Sequence, residues 1–136
     1  MRFSMMAVLA LMALGIGCSA QAQAQAQAQI QDCDGTQGEM NACAGKQLAA
    51  LDADLNKQYK AQMSYLKDAG QKQSLKEAQV KWIAFRDADC LYQVGKREDS
   101  GSIWPLLQSQ CLAEHTELRV KQLKAYVACR QDGCPN

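Results

Sequence analysis

The sequence predicts an all-α fold: a small up-down-up three-helix bundle stapled by disulfides. Three observations carry this. Apolar residues recur at helical spacing in three successive segments, cap and turn residues separate those segments, and six of the seven cysteines lie beyond the N-terminal leader. No stretch shows the two-residue alternation of a half-buried strand.

The chain opens "MRFSMMAVLALMALGIGCSA", with Arg2 ahead of an apolar run from Met5 to Ile16. That run falls short of the ~20 residues needed to span a bilayer. With small residues behind it, the segment 1–20 reads as a signal peptide. Gly17-Cys18 makes Cys18 a candidate lipid-carrying N-terminus. Gly15, three residues before Cys18, stands where such signals favour a larger aliphatic residue, and "CSA" and "AQA" offer small-x-small cleavage sites. Simple cleavage is the preferred reading. Residues 21–31 form a low-complexity Gln/Ala tether without charges or aromatics, which cannot offset its ordering entropy by burial. The folded domain is 32–136.

The first helix opens at a capping box, Thr36 with Glu39, and carries Ala44, Leu48, Leu51, Leu55, Tyr59 and Leu66 inward. Gly70 is its expected C-cap. A second capping box, Ser74 with Glu77, starts the second helix, whose expected seam is Leu75, Ala78, Trp82, Phe85, Asp89 and Tyr92. The charged, glycine-punctuated segment "VGKREDSGS" ends it. The third helix starts near Ile103 or Pro105, where proline fits the first turn, and presents Leu107, Cys111, Leu118, Leu123 and Tyr126.

A domain this small buries limited surface, so cross-links matter. Setting Cys18 aside leaves Cys33, Cys43, Cys90, Cys111, Cys129 and Cys134, an even six in an exported chain, hence three disulfides. Residues equidistant from the turn of an antiparallel hairpin face each other, which pairs Cys90 with Cys111. Cys129 and Cys134 bracket a local bend at Gly133 and pair with each other. Cys33 and Cys43, flanking the first helix start, form the remaining bond.

Charge excludes one class of partner. Arg2 leaves with the leader, taking Lys plus Arg from 15 to 14 against 14 Asp plus Glu. No basic patch interleaved with aromatics is present, so nucleic acid is not an expected partner.

The stretch "KWIAFRDADC", Lys81 to Cys90, concentrates the polar chemistry. Asp87 and Asp89 beside Arg86 could be an acid–base pair of a small hydrolase. The simpler reading makes them interhelical ties, with Arg86 reaching across the first turn toward Asn56 and Asp52, and Arg119 toward Glu77. His115 could join Cys111 in a nucleophilic dyad, but an oxidised cysteine is no nucleophile, so the histidine reads as packing or surface. No C-x-x-C zinc spacing, phosphate-cradling glycine loop or serine nucleophile elbow occurs. No cofactor and no metal are expected, and no enzyme activity.

What remains is a displayed surface. The loop Gln93 to Pro105 is polar, held at its base by the expected Cys90–Cys111 bond, and followed by Trp104. Lys96, Arg97, Ser102 and Trp104 are the candidate partner-binding residues, since loops on rigid scaffolds carry recognition and Trp and Arg are enriched at hot spots.

The segments "DCDGTQGEMNACAGKQLAALDADLNKQY", "AQVKWIAFRDADC" and "GSIWPLLQSQCLAEHTELRVKQL" resemble the LprI-type lysozyme-inhibitor family from Asp32 to about Leu123. The resemblance rests on Cys33, Met40, Asn41, Cys43, Leu55, Asn56, Tyr59, Trp82, Arg86, Cys90, Gly101, Ser102, Cys111, Thr116, Arg119 and Leu123. It implies a small exported or lipid-anchored bacterial helical protein, periplasmic or secreted, that binds and inhibits lysozyme. It carries no inhibitory residue across, and Cys129 and Cys134 lie beyond its usual pattern. The alternative expectation is an envelope interaction or stress module that never meets lysozyme.

Overall fold

The computed structural model describes residues 32–131. The expected leader, the tether, Cys18 and the Cys129–Cys134 bond lie outside the described residues in whole or in part. Among the described residues there is no strand, and the all-helical class stands. Three long helices, α1 (Gln37–Tyr65), α2 (Ala69–Val94) and α4 (Trp104–Ala128), follow one another, with a single-turn helix α3 (Arg97–Ser100) and 3-10 turns at Gly101–Ile103 and Cys129–Gln131. No described helix is long and apolar enough to cross a membrane.

Helix α1 starts where its capping box places it. The Glu39 N–H donates to Thr36 Oγ1 at 3.4 Å and the Thr36 N–H to Glu39 Oε2 at 2.8 Å. The Thr36 hydroxyl also donates to Glu39 Oε2 at 2.7 Å, and this bond, followed by that of the Thr36 N–H, holds the Glu39 carboxyl below its ordinary range.

The turn between α1 and α2 departs from expectation. The first helix ends at Tyr65, and Gly70 sits inside α2 rather than capping α1. The N-cap of α2 is Asp68, whose Oδ1 accepts from the Gln71 N–H at 2.8 Å, six residues ahead of the expected start at Ser74. The cause is local: a carboxylate at the N-cap satisfies an orphan donor, and neither Gly70 nor Ser74 forbids helix. The downstream end of α2 falls where the charged loop predicts, at Gly95, whose φ of 79° suits a residue without Cβ.

Helix α4 packs along α1 over much of its length, and less extensively along α2; Arg86 on α2 reaches Asp52 on α1. The contacts fix the directions. Asn41 bonds the Ser102 carbonyl, Asp54 pairs with Lys124, and Arg130 bonds Gln62, so α1 and α4 run parallel. Cys90 joins Cys111 and Gln79 meets Arg119, so α2 runs antiparallel to α4. The apolar centre is Leu55, Val120 and Leu123, with Tyr59, Leu75 and Trp82 packed against it.

The inward stripe of α2 differs from the expected seam. Leu75, Gln79, Trp82, Arg86 and Cys90 face the other helices, a spacing of four, three, four and four residues. Phe85 and Tyr92, expected inside, are 58% and 88% exposed, and Leu107, Leu118 and Tyr126 on α4 are exposed too. Apolarity alone misplaced them because two long polar side chains, Gln79 and Arg86, take inward positions in α2 and bond partners on α1 and α4.

Candidate functional site

The charged knot is an interhelical tie. Arg86 is largely buried, and its guanidinium donates from Nη1 to Asp52 at 3.4 Å and to Thr116 Oγ1 at 3.2 Å, and from Nε to Asp87 at 2.9 Å. One planar cation on α2 thereby reaches carboxylates or hydroxyls on α1, α2 and α4, the use for which arginine's fixed fork suits it. Asp52 is the partner on α1, not Asn56, which is exposed one turn further along. Trp82 lies beneath two guanidinium groups, Arg86 5.2 Å and Arg119 6.0 Å from its ring centroid.

Arg119 finds a different partner from the one expected. Its Nε donates to Gln79 at 3.0 Å, and Glu77 instead accepts from Gln73 on the exposed face of α2. Two residues turn a helix by roughly 200°, so Glu77 and Gln79 cannot both face α4. The same geometry separates Asp87 from Asp89. Asp87 lies with Arg86, whereas Asp89 Oδ2 meets His115 Nε2 at 2.9 Å and accepts from Gln93 at 2.7 Å. Pointing to opposite sides of α2, the two carboxylates do not form an acid–base pair.

Cys90 and Cys111 are bonded to each other, as are Cys33 and Cys43. Bonding removes Cys111 as a nucleophile for His115. The imidazole packs edge-on against Phe85, ring centroids 5.7 Å apart, and its Nε2 is engaged by Asp89. A shallow depression of about 630 Å³ along α1 includes one carboxylate, Asp54, already paired with Lys124 at 2.7 Å. Burial raises the Asp54 pKa, but hydrogen bonds from Gln58 and Lys124 outweigh it and leave the carboxyl below its ordinary range.

The four loop residues come together at one end of the molecule. The Trp104 indole Nε1 donates to the Gly95 carbonyl at 3.0 Å, closing the loop across its base. The Arg97 guanidinium lies 5.9 Å from the Trp104 ring centroid. Ser102 is fixed through its carbonyl, which accepts from Asn41 Nδ2 on α1 at 3.0 Å. Lys96 caps the single-turn helix α3 and is exposed, as are Arg97, Glu98 and Asp99. Gly95 and Gly101, at φ 79° and 68°, bracket α3 in backbone conformations that side chains disfavour. The loop is therefore a pinned platform, tied to α1, α2 and α4, with two cations and two anions on its outside.

Sequence reasoning missed four ties. Asp89–His115, Arg86–Thr116 and Gln79–Arg119 pair residues 26 to 40 apart, and only the hairpin register could have suggested them. Arg130, on the last turn, donates to Gln62 at 3.0 Å and stacks 4.3 Å from the Tyr65 centroid, closing the far end of α1.

A family model described as lysozyme inhibitor LprI matches residues 18–123. An uncharacterized protein of Rhizobium meliloti (strain 1021) is 36% identical over 101 residues, covering 65% of this chain and 72% of the relative. No solved structure matches the chain.

Proposed function

The chain belongs to the LprI lysozyme inhibitor family, and from that membership we propose that it is an exported, non-enzymatic protein that binds and inhibits a lysozyme, protecting the bacterial cell wall. The family match carries the reading. The interior supports it, because the polar clusters that could have been catalytic are engaged in tying helices: Asp87 with Arg86, Asp89 with His115, Cys111 in a disulfide. The disulfides among the described residues fit an oxidising compartment outside the cytoplasm.

Within this proposal the loop is the contact surface. Lysozyme-type active sites hold two carboxylates in a cleft. Lys96 and Arg97 stand exposed on a loop that Trp104 closes onto Gly95, and a loop held in this way loses less entropy on binding. Glu98 and Asp99 beside them cancel long-range attraction, so complementarity acts at contact and does not steer the encounter.

The test is a wall-lysis turbidity assay with purified protein and lysozymes of more than one type. Slowed lysis in proportion to added protein is the expected result. Unaltered lysis by every lysozyme, with the protein folded, defeats the proposal and leaves the envelope interaction module in its place.

A further inference from the structure

We propose that reduction of the Cys90–Cys111 disulfide creates a zinc site, in which the two thiolates and the His115 imidazole bind one ion and Asp89 orients the imidazole. The donor atoms of the three residues already lie within 4.8 Å of one another. A tetrahedral zinc with two sulfurs at ~2.3 Å and a nitrogen at ~2.0 Å sets its donors roughly 3.5 Å apart. Parting the bonded sulfurs and drawing in the ring reaches that spacing through side-chain rotation.

The surroundings match what a zinc histidine requires. Cys111 and His115 are four residues apart on α4 and so share one face, the spacing by which a helix offers two ligands to one ion. Cys90 arrives from α2. His115 Nε2 is held by Asp89 at 2.9 Å, and Asp89 in turn accepts from Gln93 at 2.7 Å, a carboxylate–histidine pair supported by an amide. Phe85 fixes the ring edge-on. Both sulfurs are buried, Cys90 fully, so a bare thiolate is disfavoured there and the pair deprotonates only with the ion that neutralises it, while His115 keeps partial access to solvent for the fourth coordination position.

The step balances with a dithiol as reductant. The dithiol passes two electrons and two protons to the disulfide and closes to its own cyclic disulfide, leaving two thiols. Zinc then displaces both thiol protons to solvent as the two Zn–S bonds form. The consequence for the fold is continuity. The bond at the loop's base joins α2 to α4, and the ion restores that junction after the sulfur bond is lost.

The experiment uses the full chain, reduced with a dithiol that gel filtration then removes, given zinc, freed of excess by a second gel filtration and assayed for bound metal; cobalt replaces zinc for spectroscopy. Expected are one zinc per chain and thiolate-to-cobalt charge-transfer absorption, both lost in Cys90→Ser and Cys111→Ser. Affinity falls at least about tenfold in His115→Ala and Asp89→Asn. It survives in the Cys33→Ser/Cys43→Ser and Cys129→Ser/Cys134→Ser variants. Far-UV circular dichroism is recorded on each variant. Absence of bound zinc, binding that tracks the other cysteines, or binding to an unfolded chain that ignores His115→Ala each overturns the proposal.

Discussion

Arg119 Nε donates to Gln79 Oε1 at 3.0 Å, and both residues are buried between α2 and α4. A guanidinium beneath the surface next to an indole has few other ways to be satisfied, and its Nη2 has no partner among the described residues. Replacing Gln79 by Met keeps the volume and removes the acceptor. Stability should fall by about 2–3 kcal/mol in urea unfolding, the loss of a hydrogen bond to a buried charge. Glu77→Ala, on the exposed face, should change it by less than about 0.5 kcal/mol. Equal effects would refute the assignment of Gln79 as the partner.

Arg86 makes the complementary tie. Arg86→Lys keeps the charge but cannot reach Asp52, Asp87 and Thr116 at once, and should lose roughly 1–3 kcal/mol. Asn56→Ala should be nearly silent. Chemical denaturation of Asp52→Asn and Asn56→Ala, side by side, decides between the two as the α1 contact, the first being the one expected to lose stability.

The two described disulfides differ in reach, 21 residues for Cys90–Cys111 and 10 for Cys33–Cys43. Loop-closure entropy then makes the longer bond worth about 0.6 kcal/mol more, within a range of about 2–4 kcal/mol each. Thermal unfolding of the Cys→Ser pairs should rank them in that order.

Acid should loosen α1 from α4. The Asp54 carboxyl is held below the ordinary carboxylate value of 3.8, so the unfolded chain binds its proton more readily than the folded one. Its contribution is complete above that value and is lost as the pH falls through the lower folded-state pKa. Asp54→Asn should therefore flatten the acid limb of the stability curve near and below about pH 4, a difference measurable by denaturant titration at several pH values.

Replacing Lys96 and Arg97 together by Ser should weaken lysozyme inhibition at least about tenfold, the loss of roughly 1.4 kcal/mol of contact. Trp104→Phe removes the indole donor to Gly95 and should weaken it further through loop disorder, while leaving the helices folded. Inhibition unchanged by the first replacement would remove the loop from the contact.

Much of this fold could be read from spacing. The cap at Thr36, the halt at Gly95, the start near Pro105 and the bond between Cys90 and Cys111 all follow from local chemistry or hairpin symmetry. The inward face of α2 could not be read that way, because burial there is decided by Gln79 and Arg86, polar residues whose partners lie on another helix. Phe85 and Tyr92 were correspondingly placed inside when they stand outside. Asp87 and Asp89 read correctly as structural, and spacing alone argues against their acid–base alternative: two residues along a helix is enough to send neighbours to opposite sides. The loop residues were recognisable as a group, but the closure of Trp104 onto Gly95 depends on a backbone carbonyl that leaves no mark in the sequence.

The chain has two tryptophans, and they occupy unlike stations: Trp82 under its two guanidinium groups and Trp104 at the root of the loop. Nature has thus installed a pair of optical reporters with separate jobs. Emission from a protein keeping only the first tracks the coming together of the helices, and emission from one keeping only the second tracks the closure of the loop onto Gly95.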